Sequence, residues 1–499
     1  MSQPRLIVRD ILLAIIICGS CFETGDSRAN QSSRRQSFLT PCHPQFVAGE
    51  ALCGKYEVFE DRAARSGRKI GLNIVVLRAL NPKSAADPVF WLHGGPGAPA
   101  TQTVPAANGG FLELLRKDRD LVFVDQRGTG DSNRLQCDLG DNPNDLASFF
   151  GPLFPSDKVR SCREQLEKRA NLKLYTTPIA MDDLDEVRSA LGYEKINVVA
   201  ASYGTIAALV YLRQHGDRVR SVFLAGVANT NIRQPLPFAP AAQHAMSLLI
   251  EDCAADHTCN NAFPKLKEEF AAVLAKFDQG PVTAKLINPS TKQTEAVQIT
   301  RTNFVEHLRL LLYTTTFARF VPLIIHRAFQ DDFLPFESLA VGYNPGSLLA
   351  RGMYMTVTCS ESVPFITEPD IKEQTTATFV GPDRIRSHLQ ACKAWPQADI
   401  PRSYVLPVQS RVPVLMISGE LDGSTPPWLG VEAMAHLSNA RQVKIRYYGH
   451  QLDSPCVWKI LADFVTAGTA EKIDTSCVEN IRRPAFATEL PKQFLLNGS

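Results

Sequence analysis

The nine residues Ile196-Asn-Val-Val-Ala-Ala-Ser-Tyr-Gly204 constrain this chain more than any other stretch. An apolar run with the character of a strand buried on both faces stops on Ser202. Helix formers, Thr205-Ile-Ala-Ala-Leu-Val-Tyr-Leu212, follow at once. A turn this tight between strand and helix admits only small residues at Ala200 and Gly204, and it holds the serine hydroxyl clear of the sheet edge. The chain is thereby committed to a strand–turn–helix unit that presents a nucleophile.

The 499 residues can bury a large core, and 44% apolar with 21% charged residues is a globular balance. The net charge of +2 excludes the basic footprint of a nucleic-acid binder. Arg5 and Arg9 precede a short apolar block, Ile11 to Cys18, well under the roughly 20 residues of a membrane span. Residues 1–29 read as a secretory signal, with Cys18-Gly-Ser20 and Ser27-Arg-Ala29 as cleavage contexts. The expectation is an exported chain with no transmembrane span once mature. Cys21 invites a lipid anchor, but Cys18 stands where a large aliphatic residue is usual, so an unanchored form is preferred. Of twelve cysteines, two lie in the leader. The other ten fall in short-range couples: Cys42 and Cys53, Cys137 and Cys162, Cys253 and Cys259, Cys359 and Cys392, Cys456 and Cys477. Such usage suits disulfides in an oxidising compartment. Among these ten no C-x-x-C spacing, and nowhere in the chain an H-E-x-x-H, suggests a metal site, and sequence alone leaves the connectivity open.

From residue 56 to residue 204, β-like runs (69–80, 89–92, 121–124, 196–201) alternate with helical stretches such as 181–191. Residues 221–227 read as a further strand. Alternation of this kind implies a parallel sheet with helices on both faces. Helical patterns dominate between residues 229 and 403; in 265–277, Leu266, Phe270, Val273, Leu274 and Phe277 share one face. Beyond residue 411 the strand–helix rhythm resumes with 412–417, 428–437 and 442–448. The expected organisation is an α/β core in two parts, 42–228 and 404–485, interrupted by a mainly helical cap at 229–403.

A serine hydroxyl is a weak nucleophile at neutral pH and needs a base that a carboxylate orients. Asp422 and His450 each sit just past a strand, where an α/β sheet builds its site, and they follow Ser202 in the order Ser, acid, His. Glu420 is the competing acid, but it lies closer to its strand. His93-Gly-Gly-Pro-Gly97 follows the 89–92 strand. An amide of Gly94 or Gly95, with that of Tyr203, would receive the oxyanion of an acyl transfer. His93 itself reads as a brace for that loop.

Taken together, His93-Gly-Gly-Pro-Gly97, Asp125-Gln-Arg-Gly-Thr-Gly-Asp-Ser132, Ser202-Tyr-Gly-Thr205 and Gly419-Glu-Leu-Asp422 resemble the proline iminopeptidase and tripeptidyl aminopeptidase branch of the α/β-hydrolases, the S33-type serine exopeptidases. The likeness extends from about residue 42 to residue 478, and the segment from His450 to Cys477 resembles the C-terminal part of tripeptidyl aminopeptidase-like members. It implies an α/β-hydrolase fold with an inserted helical cap, a Ser202–His450–Asp422 triad, no metal or organic cofactor, and release of residues from peptide N-termini. In that branch, cap acids hold the substrate amine, and Thr358-Cys-Ser-Glu361 resembles such a segment, which makes Glu361 the expected anchor. Ala200 replaces a usual glycine at the start of the elbow, and Ser362 replaces a second acid often found after the glutamate. A secreted carboxylesterase or amidase, using the same triad on a small ester or amide, is the alternative expectation.

Overall fold

The computed structural model describes residues 38–491 apart from residues 46, 48, 82, 86, 108 and 141; the expected secretory signal, with Cys18 and Cys21, lies outside the described residues. Eleven strands run in chain order as β1 (Leu39–Cys42), β2 (Ala51–Phe59), β3 (Lys69–Leu77), β4 (Val89–Leu92), β5 (Leu121–Val124), β6 (Ile196–Ala201), β7 (Val219–Ala225), β8 (Val282–Ile287), β9 (Thr294–Ile299), β10 (Val414–Gly419) and β11 (Ala440–Ile445). Nine form one sheet, ordered β1-β2-β3-β5-β4-β6-β7-β10-β11. The β1, β2, β3 and β5 neighbours pair antiparallel. The remaining pairings of this sheet, β5-β4-β6-β7-β10-β11, are all parallel. This mostly parallel sheet, with its elbow after β6, is the α/β-hydrolase fold.

The central strands are apolar without alternation because both faces are covered. Val198, Ala200, Val222, Leu224, Val414 and Met416 pack with Ala180, Leu184, Ala208 and Tyr211 on one side. Val199, Phe223, Leu415 and Ile417 pack with Leu112, Leu115, Ile460 and Phe464 on the other. Successive residues thus belong to opposite cores, as the two-residue period of a strand dictates. Full burial of a side chain such as Phe464, 0% exposed, contributes about 1.5–3 kcal/mol.

Between β7 and β10 the chain is mostly helical and gathers an apolar core of its own around Leu249, Phe270, Phe304, Leu308 and Phe336. The β8–β9 hairpin is an addition to the helices expected there, pairing Val282 with Ile299 through Ile287 with Thr294. Helix Arg351–Glu361 is buried along nearly its whole length, and its Met353, Met355 and Val357 join the core of the sheet. The ten cysteines from Cys42 to Cys477 form five disulfides in the couples noted above. Among the described residues no helix is long and apolar enough to cross a membrane.

Candidate active site

Ser202 stands between β6 and the helix Tyr203–His215 with φ 58° and ψ −129°, a conformation that costs on the order of 1–3 kcal/mol for a residue with a side chain. The surroundings hold it there. Its amide donates to the Ala225 carbonyl at 2.9 Å, and its carbonyl accepts from the Thr205 amide at 2.8 Å and the Thr205 hydroxyl at 2.6 Å. A Cβ on Gly204 would lie 2.3 Å from the Leu92 carbonyl oxygen, so a side chain there would push the helix off β4.

His450 and Asp422, supplied by the loops after β11 and β10, meet this serine. His450 Nε2 is 2.8 Å from Ser202 Oγ, and His450 Nδ1 is 2.8 Å from Asp422 Oδ2. A carboxylate only accepts, so the imidazole proton sits on Nδ1 and the Nε2 lone pair faces the serine hydroxyl. Asp422 is fully buried. Its Oδ1 accepts from the Ser424 and Thr425 amides, each at 2.8 Å, and its Oδ2 from the Thr425 hydroxyl at 2.8 Å. Burial alone would raise its carboxyl, but the facing His450 and the Thr425 hydrogen bonds outweigh burial and hold it below the usual carboxylate range. Asp422, not Glu420, is the acid at the imidazole. The Tyr313 ring covers His450 at 4.9 Å between centroids.

The loop after β4 reaches the serine from the other side. A Cβ on Gly94 would come within 2.8 Å of Ser202 Cβ, so only glycine allows the approach. The Gly94 amide, however, donates to His93 Nδ1 at 2.7 Å. The Gly94 amide, expected as an oxyanion donor, is thus engaged by His93; Tyr203 is the first residue of the elbow helix. Burial depresses His93 to about 4 and keeps it neutral, as the brace needs. The Asp125–Ser132 motif fixes the same loop from below. Asp125 accepts from the Thr101 amide and hydroxyl, each at 2.9 Å, and from Asn73 at 2.9 Å. Arg127, fully buried, makes a bidentate pair with Asp183 at 2.6 and 2.9 Å.

Glu361 does not reach this site, contrary to the expected anchor role. Its carboxylate accepts from the Thr177 amide at 2.6 Å, the Thr177 hydroxyl at 2.7 Å and the Tyr404 hydroxyl. The Thr177 hydroxyl in turn is 2.7 Å from the Tyr203 hydroxyl, so Glu361 ties the elbow helix to the helix Thr177–Ala190. It is 3% exposed, and burial raises its carboxyl pKa.

A cavity of about 900 Å³ opens over Ser202 and His450, lined by Gly94 and Gly95 on the core side and by Phe238, Glu306 and Tyr354 on the opposite side. Glu306 is the acid that sequence reasoning missed. Its Oε2 accepts from Arg309 at 3.1 Å and Arg384 at 2.7 Å, while its Oε1 is buried without a partner. Burial would raise this carboxyl, but Arg309 and Arg384 outweigh it and lower its pKa. The only signal in the sequence was an acid one turn before an arginine, Glu306 and Arg309, on an amphipathic helix.

Chain order, strand positions and elbow geometry together make this chain a serine hydrolase of the α/β-hydrolase fold. Within that class, residues 377–477 match the family model described as TAP-like protein. Serine protease Hip1 of Mycobacterium tuberculosis is 28% identical over 242 residues, covering 44% of this chain and 45% of that protein; the match thus spans less than half of that relative. Tripeptidyl aminopeptidase of Streptomyces coelicolor is 28% identical over 195 residues, covering 36% and 35%. Putative hydrolase YuaR of Escherichia coli K12 is 22% identical over 501 residues, covering 95% of each chain.

Proposed function

We propose that this protein is an exported serine peptidase that removes residues from peptide N-termini through an acyl-enzyme. The observation that carries the reading is the 2.8 Å contact of Ser202 Oγ with His450 Nε2 at the floor of a cavity large enough for a short peptide. In this reading Ser202 attacks the scissile carbonyl as Nε2 takes its proton. Asp422 keeps the imidazole in the required tautomer and stabilises the imidazolium. Amides of Gly95 and Tyr203 receive the developing oxyanion. His450 then protonates the leaving amine, and water repeats the sequence to free the acyl group. The partnerless Oε1 of ionised Glu306 replaces Glu361 as acceptor for the substrate ammonium. The names of the tripeptidyl aminopeptidase and serine protease relatives support peptides as substrates, and five disulfides support export.

The test is hydrolysis of aminoacyl and tripeptidyl arylamides with free and acetylated amines. The proposal expects the free amine to be favoured at least about tenfold, the range of one charge-assisted hydrogen bond. Equal rates would overturn it. A carboxylesterase or amidase is the second reading; the observation in its favour is the withdrawal of Glu361 from the cavity, and it expects indifference to acetylation.

A further inference from the structure

The cavity over Ser202 carries more positive charge than a site for an ammonium alone calls for. Three arginines line it, Arg309, Arg351 and Arg384, against two acids, Glu306 and Asp453. Each arginine comes from a different helix: Arg301–Leu311, Arg351–Glu361 and Asp383–Lys393. Asp453 is engaged by the Trp458 indole at 2.6 Å.

The cluster is tied together around Tyr354. Arg384 Nη2 donates to the Tyr354 hydroxyl at 3.4 Å, and the Arg351 guanidinium lies 5.6 Å from the centre of that ring. Arg384 is bound to Glu306 through Nη1 at 2.7 Å, yet its Nε is buried with no partner. Behind it, Arg309 is 1% exposed and pairs with the same Glu306 oxygen at 3.1 Å. One carboxylate therefore faces two guanidinium groups, and a third, that of Arg351, lies against the Tyr354 ring beside them. Burial, with the nearby Arg384, Arg351 and Arg309 charges, keeps His388 beneath Tyr354 neutral, so it adds no charge of its own. The cluster also stands close to the chemistry: Arg309 donates to the Tyr313 hydroxyl at 2.9 Å, and the Tyr313 ring covers His450. An ammonium on Glu306 Oε1 would leave the excess of positive charge larger still. An anion on the substrate would offset it.

We propose that Arg384 and Arg351, backed by the Arg309–Glu306 pair, form a carboxylate-binding subsite, so that the protein selects substrates bearing an anion beyond the group at the scissile bond. The inference rests on the reading of this cavity as the substrate site, and it holds for peptide and ester substrates alike. In a peptide the carboxylate has two sources, an acidic side chain or a free C-terminus. A guanidinium fork suits either one.

The experiment measures kcat/KM of the full chain on matched pairs. One arm compares short peptides with Glu or Gln at each of the first three positions. A second compares the same peptides with free or amidated C-termini. A third compares the p-nitrophenyl ester of succinic acid with that of its methyl ester. The expected result is a preference of about tenfold or more for the anionic member in at least one arm. The first two arms tell the two sources apart. Arg384→Gln and, on the partly exposed wall, Arg351→Gln should collapse that preference toward one, with fluorophosphonate labelling of Ser202 verifying that each variant is folded. Ratios within twofold of one in all three arms overturn the proposal, as does an undiminished ratio in both labelled variants. Failure to cleave any peptide while the esters are discriminated would instead sink the peptidase reading and leave the subsite supported.

Discussion

Replacing Asp422 by asparagine removes one charge and leaves the local shape nearly intact, yet the surrounding hydrogen bonds dictate a large effect. Two backbone amides, those of Ser424 and Thr425, point at one carboxylate oxygen, Oδ1. The asparagine carbonyl must stay there, because its NH2 cannot accept from them. The NH2 group is thereby forced into the place of Oδ2, 2.8 Å from His450 Nδ1. Nδ1 can then only accept, the ring proton moves to Nε2, and Nε2 presents a hydrogen to Ser202 Oγ instead of a lone pair. Loss of the base in this way is worth roughly 10⁴-fold in kcat, or about 5.5 kcal/mol of barrier. Thr425 Oγ1 can turn to accept from the new NH2, so the fold should survive. The assay is steady-state hydrolysis of a p-nitrophenyl ester and of a tripeptidyl arylamide, with circular dichroism to verify the fold. A loss smaller than about tenfold would refute the reasoning and return Glu420 to contention.

The other expectations concern what holds the site. Glu361→Ala leaves the buried Thr177 amide without its acceptor and should cost about 2–4 kcal/mol of stability, read by thermal melting. The free-to-acetylated substrate ratio should stay unchanged in that variant, and a selective loss on free amines would restore Glu361 as an anchor. Gly204→Ala sets a methyl 2.3 Å from the Leu92 carbonyl oxygen and should lose about 1–3 kcal/mol by overpacking, together with most fluorophosphonate reactivity. His93, with its pKa lowered from 6.5 to about 4, binds protons less readily folded than unfolded. Stability should therefore be complete above pH 6.5 and decline as pH falls toward 4, by about 3 kcal/mol in all. Denaturant melts across that range should show the slope, and His93→Gln should flatten it.

Much of this site was legible because its parts are local in sequence. A strand ending on a serine between small residues needs no tertiary knowledge, and Asp422 and His450 announce themselves by following strands in the right order. The both-faces burial of β6 and β10 is written in their apolar stretches, 198–201 and 414–417. What escaped were directions and long-range meetings. The likeness of Thr358–Glu361 to an anchor segment says nothing of which way Glu361 points. Its partners, Thr177 and Tyr404, lie far away along the chain. The diversion of the Gly94 amide to His93 depends on one ring orientation. The three arginines converge from three helices with no common motif. The β8–β9 hairpin was readable in principle, since Ala284 and Leu286, like Val297 and Ile299, alternate with exposed residues; the helical character of its surroundings obscured it.

The central claim is that Ser202 is an activated nucleophile. Incubation of the intact protein with a fluorophosphonate, followed by peptide mass spectrometry, tests it most directly. The account predicts a single adduct, on Ser202, absent from Ser202→Ala and strongly slowed in His450→Ala. An unlabelled but folded protein, or an adduct on another residue, would contradict it.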